Sequence, residues 1–301
     1  MKTLPFVLSA MLFLGSVVSL RAEEFKLSHD GLTLNANLEI ASDNGLADGV
    51  VLITHGLLAH NGMEIIATLQ KLLGERNLNS LAISLSLGLG DRHGMYDCAV
   101  PHTHKAADAL DEIGAWIAWL DKKGAKDIIL AGHSSGGRDT AWFAAERDIP
   151  AVKKVILIAP GLWSADVVGR SYKERYKKDL APQVAKAQSL VDAGKGDTML
   201  AETDFLYCPQ ASVSAATFVS YYGGDPAKST PHHLPKIKKP VLVVAGTEDR
   251  VVTGLRPVVQ PLADGKKLKY VEIEDAGHFF LDLFGEDLAD VIAEFVKGPE
   301  S

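Results

Sequence analysis

The feature that most constrains this chain is a recurrence. Short continuous runs of β-branched and aliphatic residues alternate with longer stretches whose apolar residues fall at helical spacing. The runs are Gly49 to Thr54 (GVVLIT), Leu81 to Leu85, Ile128 to Ala131, Val155 to Ala159, Val241 to Ala245 and Leu268 to Ile273. A strand that is apolar on both faces must be covered on both faces, so such runs belong in a mainly parallel sheet sandwiched between helices. Met63 to Arg76, His104 to Lys123 and Ser135 to Arg147 carry the helical spacing between them, with Ala106, Ala109, Leu110, Ile113, Ile117 and Leu120 on the inner face of the second. Phe25 to Leu27 and Leu32 to Ile40, joined by Asp30-Gly31, read as an opening hairpin, and Leu283 to Val296 as a terminal helix.

The alternation stops after Pro160. From Gly161 to about Pro235 no strong strand is legible, and a structureless loop of that length is foreign to a compact domain, so this segment is expected to be a helical insertion. The chain then divides into a core, 23–160 and 236–301, and a cap or lid, 161–235. Residues 1–22 (MKTLPFVLSAMLFLGSVVSLRA) have a basic start, an uncharged apolar stretch and small residues at Ser19 and Ala22, the layout of a secretory signal peptide. About 18 apolar residues approach the length of a membrane anchor, the alternative reading. Cleavage before Glu23-Glu24 would remove Lys2 and Arg21 and take the formal charge from -7 to -9, leaving no stable membrane insertion. Such an acidic chain, without a long block of Lys and Arg, is excluded as a general nucleic-acid binder. The expected location is secreted or periplasmic. Two cysteines, Cys98 and Cys208, would enter that oxidising compartment, so a single disulfide is proposed, with two separate buried thiols as the alternative.

Gly132-His133-Ser134-Ser135-Gly136 lies where one apolar run ends and a helical stretch begins. This fits G-x-S-x-G centred on Ser134, in the strand-to-helix context that gives the motif chemical meaning. The glycines are needed because a nucleophile lifted from the sheet on a sharp turn brings neighbouring backbones close together. A helix starting at Ser135 would aim its free N–H groups at a developing oxyanion. An alcohol needs a base, and the base an acid to hold its tautomer. Asp249 follows the run at Val241 and His278 follows the run at Leu268, so both fall where ligands bind in open parallel sheets.

These residues resemble the α/β-hydrolase superfamily, in particular its serine hydrolases of the lipase, esterase and serine aminopeptidase type. The likeness spans nearly the whole mature chain, with Ser134, Asp249 and His278 in the family's order. Gly246-Thr247-Glu248-Asp249-Arg250-Val251-Val252 matches the family's Gly-x-x-Asp-x-x-Val, and Gly277-His278 its C-terminal Gly-His. Thr54-His55-Gly56-Leu57 is similar to the family's His-Gly oxyanion loop, which implies that the backbone N–H groups of Leu57 and Ser135 hold the oxyanion. Gly90-Asp91-Arg92-His93-Gly94 resembles an Asp-x-Arg-Gly-His loop with its local order changed, and speaks to fold more than chemistry. The resemblance implies an α/β-hydrolase fold and a serine hydrolase acting on a small-molecule acyl substrate, a carboxylic ester or related acyl bond, with no cofactor.

Several alternatives stay open at this stage. Glu248 is a rival acid to Asp249, and His55 reads as a structural residue shaping its loop. His102-x-His104 and His232-His233 invite a metal reading, but no acidic or cysteine cluster accompanies them at ligand spacing, and no metal is expected. Arg170 to Lys178 reads as the solvated face of a helix, and Phe218, Tyr221 and Tyr222 either line a substrate pocket or pack the insertion. The same triad would serve a peptidase, a thioesterase or a carbon–carbon bond hydrolase, and the fold alone would serve a non-catalytic binding protein. Neither the substrate nor the oligomeric state is legible.

Overall fold

A computed structural model describes residues 22–42 and 44–298; the expected signal peptide lies outside the described residues. The chain runs β1 (Glu23–His29), β2 (Leu32–Glu39), β3 (Val50–Thr54), α1 (Glu64–Glu75), β4 (Ser80–Ser84), α2 (Asp108–Lys122), β5 (Ile128–His133), α3 (Ser135–Glu146) and β6 (Val152–Ile158). It continues through α4 (Ala165–Tyr176), α5 (Leu180–Asp192), β7 (Met199–Phe205), β8 (Cys208–Ser214), α6 (Ala215–Tyr222) and α7 (Thr230–His233). The last elements are β9 (Val241–Gly246), α8 (Leu255–Val259), β10 (Leu268–Ile273) and α9 (Leu283–Lys297).

Eight strands form one sheet in the order β1-β2-β4-β3-β5-β6-β9-β10. β1 and β2 pair antiparallel, as do β2 and β4, and every later pairing is parallel. This is the mainly parallel, helix-covered sheet anticipated from the runs, in the α/β-hydrolase architecture that the motif resemblance implies. Residues alternating along β3 explain why those runs are continuously apolar: Val50 and Leu52 pack with α2 and α3, while Val51 and Ile53 pack with α1 and α9. Leu268–Ile273 departs from expectation, for β10 is an edge strand and its middle residues are partly exposed. The helix expected from His104 begins at Asp108, whose carboxylate accepts the Lys105 N–H at 2.7 Å and holds 104–107 in a loop. Among the described residues no helix is long and apolar enough to cross a membrane.

The register aligns the carboxyl ends of the central strands. Thr54 pairs with Gly132, His133 with Ile158, Ile158 with Val244, and Ile273 with Gly246. From β3 the chain moves to β4 on one side and returns to β5 on the other, so connections diverge at this edge and leave a crevice.

Between β6 and β9 the segment 161–235 is helical in α4, α5 and α6 but also contains the β7–β8 hairpin, which the sequence pattern hides. The reason is irregularity: the register shifts on both sides of Thr203, and Glu202, Leu206 and Gln210 all have positive φ. Bulged strands break the two-residue alternation by which strands are recognised. Phe205, Cys208, Val213, Phe218 and Tyr221 form their own core with Leu58, Tyr96 and Ala106 of the sheet-bearing part. Two further ties fasten this segment. Cys98 and Cys208 are bonded, and His102 exchanges backbone hydrogen bonds with Ser212 and Ser214 at 2.8 and 2.9 Å. The basic stretch is attached to the hairpin as well, through Arg175 over Tyr207 and Lys178 on Asp204.

The terminal helix is held by one buried cation. Lys154 of β6 donates to the carbonyls of Phe295, Val296 and Gly298 at 2.9, 3.0 and 2.7 Å, where the negative end of α9 favours positive charge. Lys154→Met should lower stability by about 2 kcal/mol, read as a reduced urea midpoint with an unchanged slope.

Candidate active site

Ser134 sits between the end of β5 and the start of α3 with φ 57° and ψ -122°, a conformation L-residues avoid. Its surroundings impose it. A Cβ on Gly132 would come within 2.3 Å of the Gly136 carbonyl oxygen, and one on Gly136 within 2.2 Å of the His55 oxygen. A Cβ on Gly137 would lie 2.8 Å from the Gly132 oxygen. The first turn of α3 therefore rests directly on the ends of β3 and β5. The Ser134 carbonyl accepts from the amides of Gly137, Arg138 and Gly161 at 3.0, 3.2 and 2.8 Å, which fixes the turn from three directions.

His278 reaches the same edge from the loop after β10, and Asp249 from the loop after β9. Asp249 divides its carboxylate: Oδ2 accepts from His278 Nδ1 at 2.8 Å, while Oδ1 accepts from the Val251 and Val252 amides at 2.7 and 2.9 Å. Burial would raise the Asp249 pKa, but the His278 hydrogen bond and the two amides outweigh it and hold the carboxyl below its ordinary value. With Nδ1 committed as donor, His278 Nε2 is left as the acceptor. Both side chains are about 95% buried, at 4% and 5% exposure. Glu248, the rival acid, is 57% exposed and pairs with Arg250.

Two side chains that the sequence reading passed over support this geometry. His133, the variable position of the serine motif, donates from Nε2 to the His278 carbonyl at 2.9 Å, and the two rings lie 4.7 Å apart. Burial pushes its pKa down to about 3, so it stays neutral and keeps that tautomer. Arg92 is the second. Its guanidinium donates to the carbonyls of Leu85, Gly94 and Ala59, joining the loop after β3 to the loop after β4. Its place in the Gly90–Gly94 motif was the available signal, and only its burial reveals its use.

His55 belongs to the same knot, as its structural reading requires. Nδ1 donates to the Gly56 carbonyl at 2.8 Å and Nε2 accepts from the Leu85 amide at 3.0 Å. Burial, with Arg92 beside it, lowers its pKa to about 3. The adjoining turn is closed by the Ala59 amide on the Gly56 carbonyl. The amides of Leu57 and Ser135 have no acceptor there among the described residues, and both residues line one narrow cavity together with Leu58, Arg138, Asp139 and Tyr221. Phe218 and Tyr222 instead pack within the segment 161–235. His102 and His104 are buried among Tyr96, Phe205 and Tyr221, with the Tyr221 hydroxyl bonded to His104 Nδ1 at 2.9 Å. His233 bonds the Ala227 carbonyl, and His232 faces Lys236.

Residues 50–294 match the sequence profile of the alpha/beta hydrolase family. No curated protein matches the chain in sequence at a significant level. Among solved structures, the chain is similar to Est1E from Butyrivibrio proteoclasticus, at 22% identity and a TM-score of 0.64, over 91% of this chain and 97% of that one. It is also similar to a Paleococcus ferrophilus monoacylglycerol lipase, at 21% identity and a TM-score of 0.59, over 87% and 98%. The Pyrococcus furiosus esterase Pf2001 aligns over 97% of this chain and 96% of its own, at 18% identity and a TM-score of 0.62.

Two outcomes follow from the geometry. Gly136→Ala should cost roughly 3 kcal/mol or more, because rigid backbone must move, whereas Gly169→Ala, with open space in α4, should be neutral or mildly stabilising; thermal denaturation compares them. Since the folded Asp249 has a lowered pKa, its contribution is present above the ordinary carboxylate pKa and lost as pH falls through the folded value. The difference in Tm between the native protein and Asp249→Asn should therefore be constant from about pH 7 to 5 and close below about pH 4.

Proposed function

Because the chain belongs to the alpha/beta hydrolase family, we propose that it is a serine hydrolase that cleaves carboxylic esters through an acyl-enzyme, with Ser134, His278 and Asp249 as its triad. The observation that carries this reading is the divided Asp249 carboxylate, which commits His278 Nδ1 as donor and leaves Nε2 as acceptor, at the same sheet edge where Ser134 stands on a strained turn. His278 Nε2 takes the Ser134 hydroxyl proton as Oγ bonds to the acyl carbon. The amides of Leu57 and Ser135 hold the tetrahedral oxyanion, and the positive end of α3 adds to the field there. Collapse breaks the bond to the leaving alkoxide, which receives the proton from His278 and departs as alcohol. Water then repeats the sequence on the acyl-enzyme, with its proton passing through His278 to Ser134 as the acid is released.

The segment 161–235 is read as the cap over this edge, and export to an oxidising compartment is proposed for the whole chain. The Cys98–Cys208 bond supports the second point, since such bonds persist outside the cytosol.

A fluorophosphonate probe tests the nucleophile. The native protein and Ser135→Ala should label, because Ser135 acts through its backbone, and Ser134→Ala should not. Turnover of p-nitrophenyl butyrate should fall by about four orders of magnitude or more in Ser134→Ala, and similarly in Asp249→Asn, where the wrong His278 tautomer is favoured. Absence of labelling in the folded native protein would overturn the assignment. Aminoacyl anilides run beside the esters decide between esterase and peptidase.

A further inference from the structure

Beyond His278 the chain continues as an apolar loop. Phe279, Leu281 and Leu283 are 38%, 44% and 79% exposed, while Phe280 between the first two is buried in the core that α1 and α9 share. Single exposed apolar residues are ordinary on a protein surface, but three within five consecutive residues form a concentration that calls for a partner. The backbone is strained where this happens. Phe280 has φ 44°, and Asp282 has φ 55° and ψ -131°, close to the values at Ser134 and equally disfavoured for an L-residue. Asp282 precedes α9 without a side-chain capping bond, so capping does not account for its strain. Phe279 also touches the site itself: its ring stands edge-to-face with His278, centroids 5.0 Å apart, and lies 5.9 Å from the ring of His133.

We infer that this loop, led by Phe279, receives the alcohol half of the ester and selects bulky apolar alcohols over small or polar ones. The inference rests on the Ser134 acyl-transfer reading and names its leaving-group class. In that reaction His278 Nε2 returns the serine proton to the departing alkoxide, which places the alcohol oxygen within about 3 Å of the imidazole. The carbons of the alcohol therefore begin beside the ring against which Phe279 packs, and Phe279 offers exposed apolar surface there. An apolar alcohol laid on the loop takes both surfaces out of water, with a gain that grows with the area covered. Methanol is too small to cover it. An alcohol carrying ether oxygens would give up water at those oxygens, and Phe279, Leu281 and Leu283 have no side-chain donor to replace it. The exposed carboxylate of Asp282 sets the loop against anionic alcohols as well.

Benzyl, 2-(2-methoxyethoxy)ethyl and methyl butyrate share one acyl group and separate these cases by pH-stat assay, each measured below and above its solubility limit. Their alcohols are of comparable acidity, so departure itself favours none. Below that limit the benzyl ester should have kcat/KM at least about tenfold above either of the others. That ratio should fall at least about fivefold in Phe279→Ser combined with Leu281→Ser, and survive in Phe279→Leu; the comparison in the native protein stands even where the double variant does not fold. If Phe279 only steadied His278, its loss would slow all three esters alike, and an unchanged ratio in the folded variant overturns the inference. So does a benzyl ester turned over no faster than either companion, with the hydrolase reading left intact. A benzyl preference that appears only above the solubility limit overturns it in favour of a lipid-surface site. Hydrolysis of none of the three also overturns it, and fluorophosphonate labelling of Ser134 in the same protein tells whether the hydrolase reading survives.

Discussion

The close approach of α3 to the ends of β3 and β5 is the constraint on which the rest of this structure depends. Backbone rests on backbone there, since no side chain fits at Gly132 or Gly136 without colliding with carbonyl oxygens. That contact sets the height of Ser134 above the sheet, fixes its φ at 57°, and brings the open end of α3 to the level of the turn after β3. Once those positions are set, the unclaimed amides at this edge include those of Leu57, on a strand-end turn, and Ser135, at a helix start. The oxyanion site of the proposed mechanism is a by-product of how the helix must pack.

Three imidazoles within this small volume show how surroundings, and not residue type, assign roles. His55 and His133 are buried without a carboxylate, so each is driven to the neutral form and used as a donor to a carbonyl. His278 is equally buried but faces Asp249, whose charge is itself stabilised by two amides. The first two shape loops; the third has a ring nitrogen to offer. His133 links the groups physically, because it is adjacent in sequence to Ser134 and holds the His278 backbone, so it ties the loop after β5 to the loop after β10.

The sheet and its helices were legible because strands buried on both faces leave uninterrupted apolar runs, as at Val50 to Thr54 and Val241 to Gly246. Ser134, Asp249 and His278 were legible because each stands just past such a run, and strand ends are where a parallel sheet gathers distant segments. Three things were not. The β7–β8 hairpin lost its alternation to bulges and non-glycine residues at positive φ. Arg92 reaches the backbone carbonyl of Ala59 and His133 that of His278, both far away in sequence, and hydrogen bonds of that kind leave no pattern in a single chain. The pairing of Arg138 with Asp139 is a third case, since neighbours on a helix do not ordinarily face each other, and only burial forces the guanidinium onto the adjacent carboxylate.

The attachment of the segment 161–235 determines what kind of cavity it can bound. His102 forms backbone hydrogen bonds with β8, Cys98 is bonded to Cys208 at the start of that strand, and His104 two residues on receives Tyr221 from α6. The loop between β4 and α2 is thus fastened to the segment 161–235 by covalent, backbone and side-chain links within a few residues. A wall built this way cannot swing aside without breaking several of them together. The cavity beside Ser135 is therefore bounded on one side by the first turn of α3 and on the other by a rigid junction. Selectivity in so fixed a space rests on the shape and polarity of its lining, Leu57, Leu58, Arg138, Asp139 and Tyr221 among them.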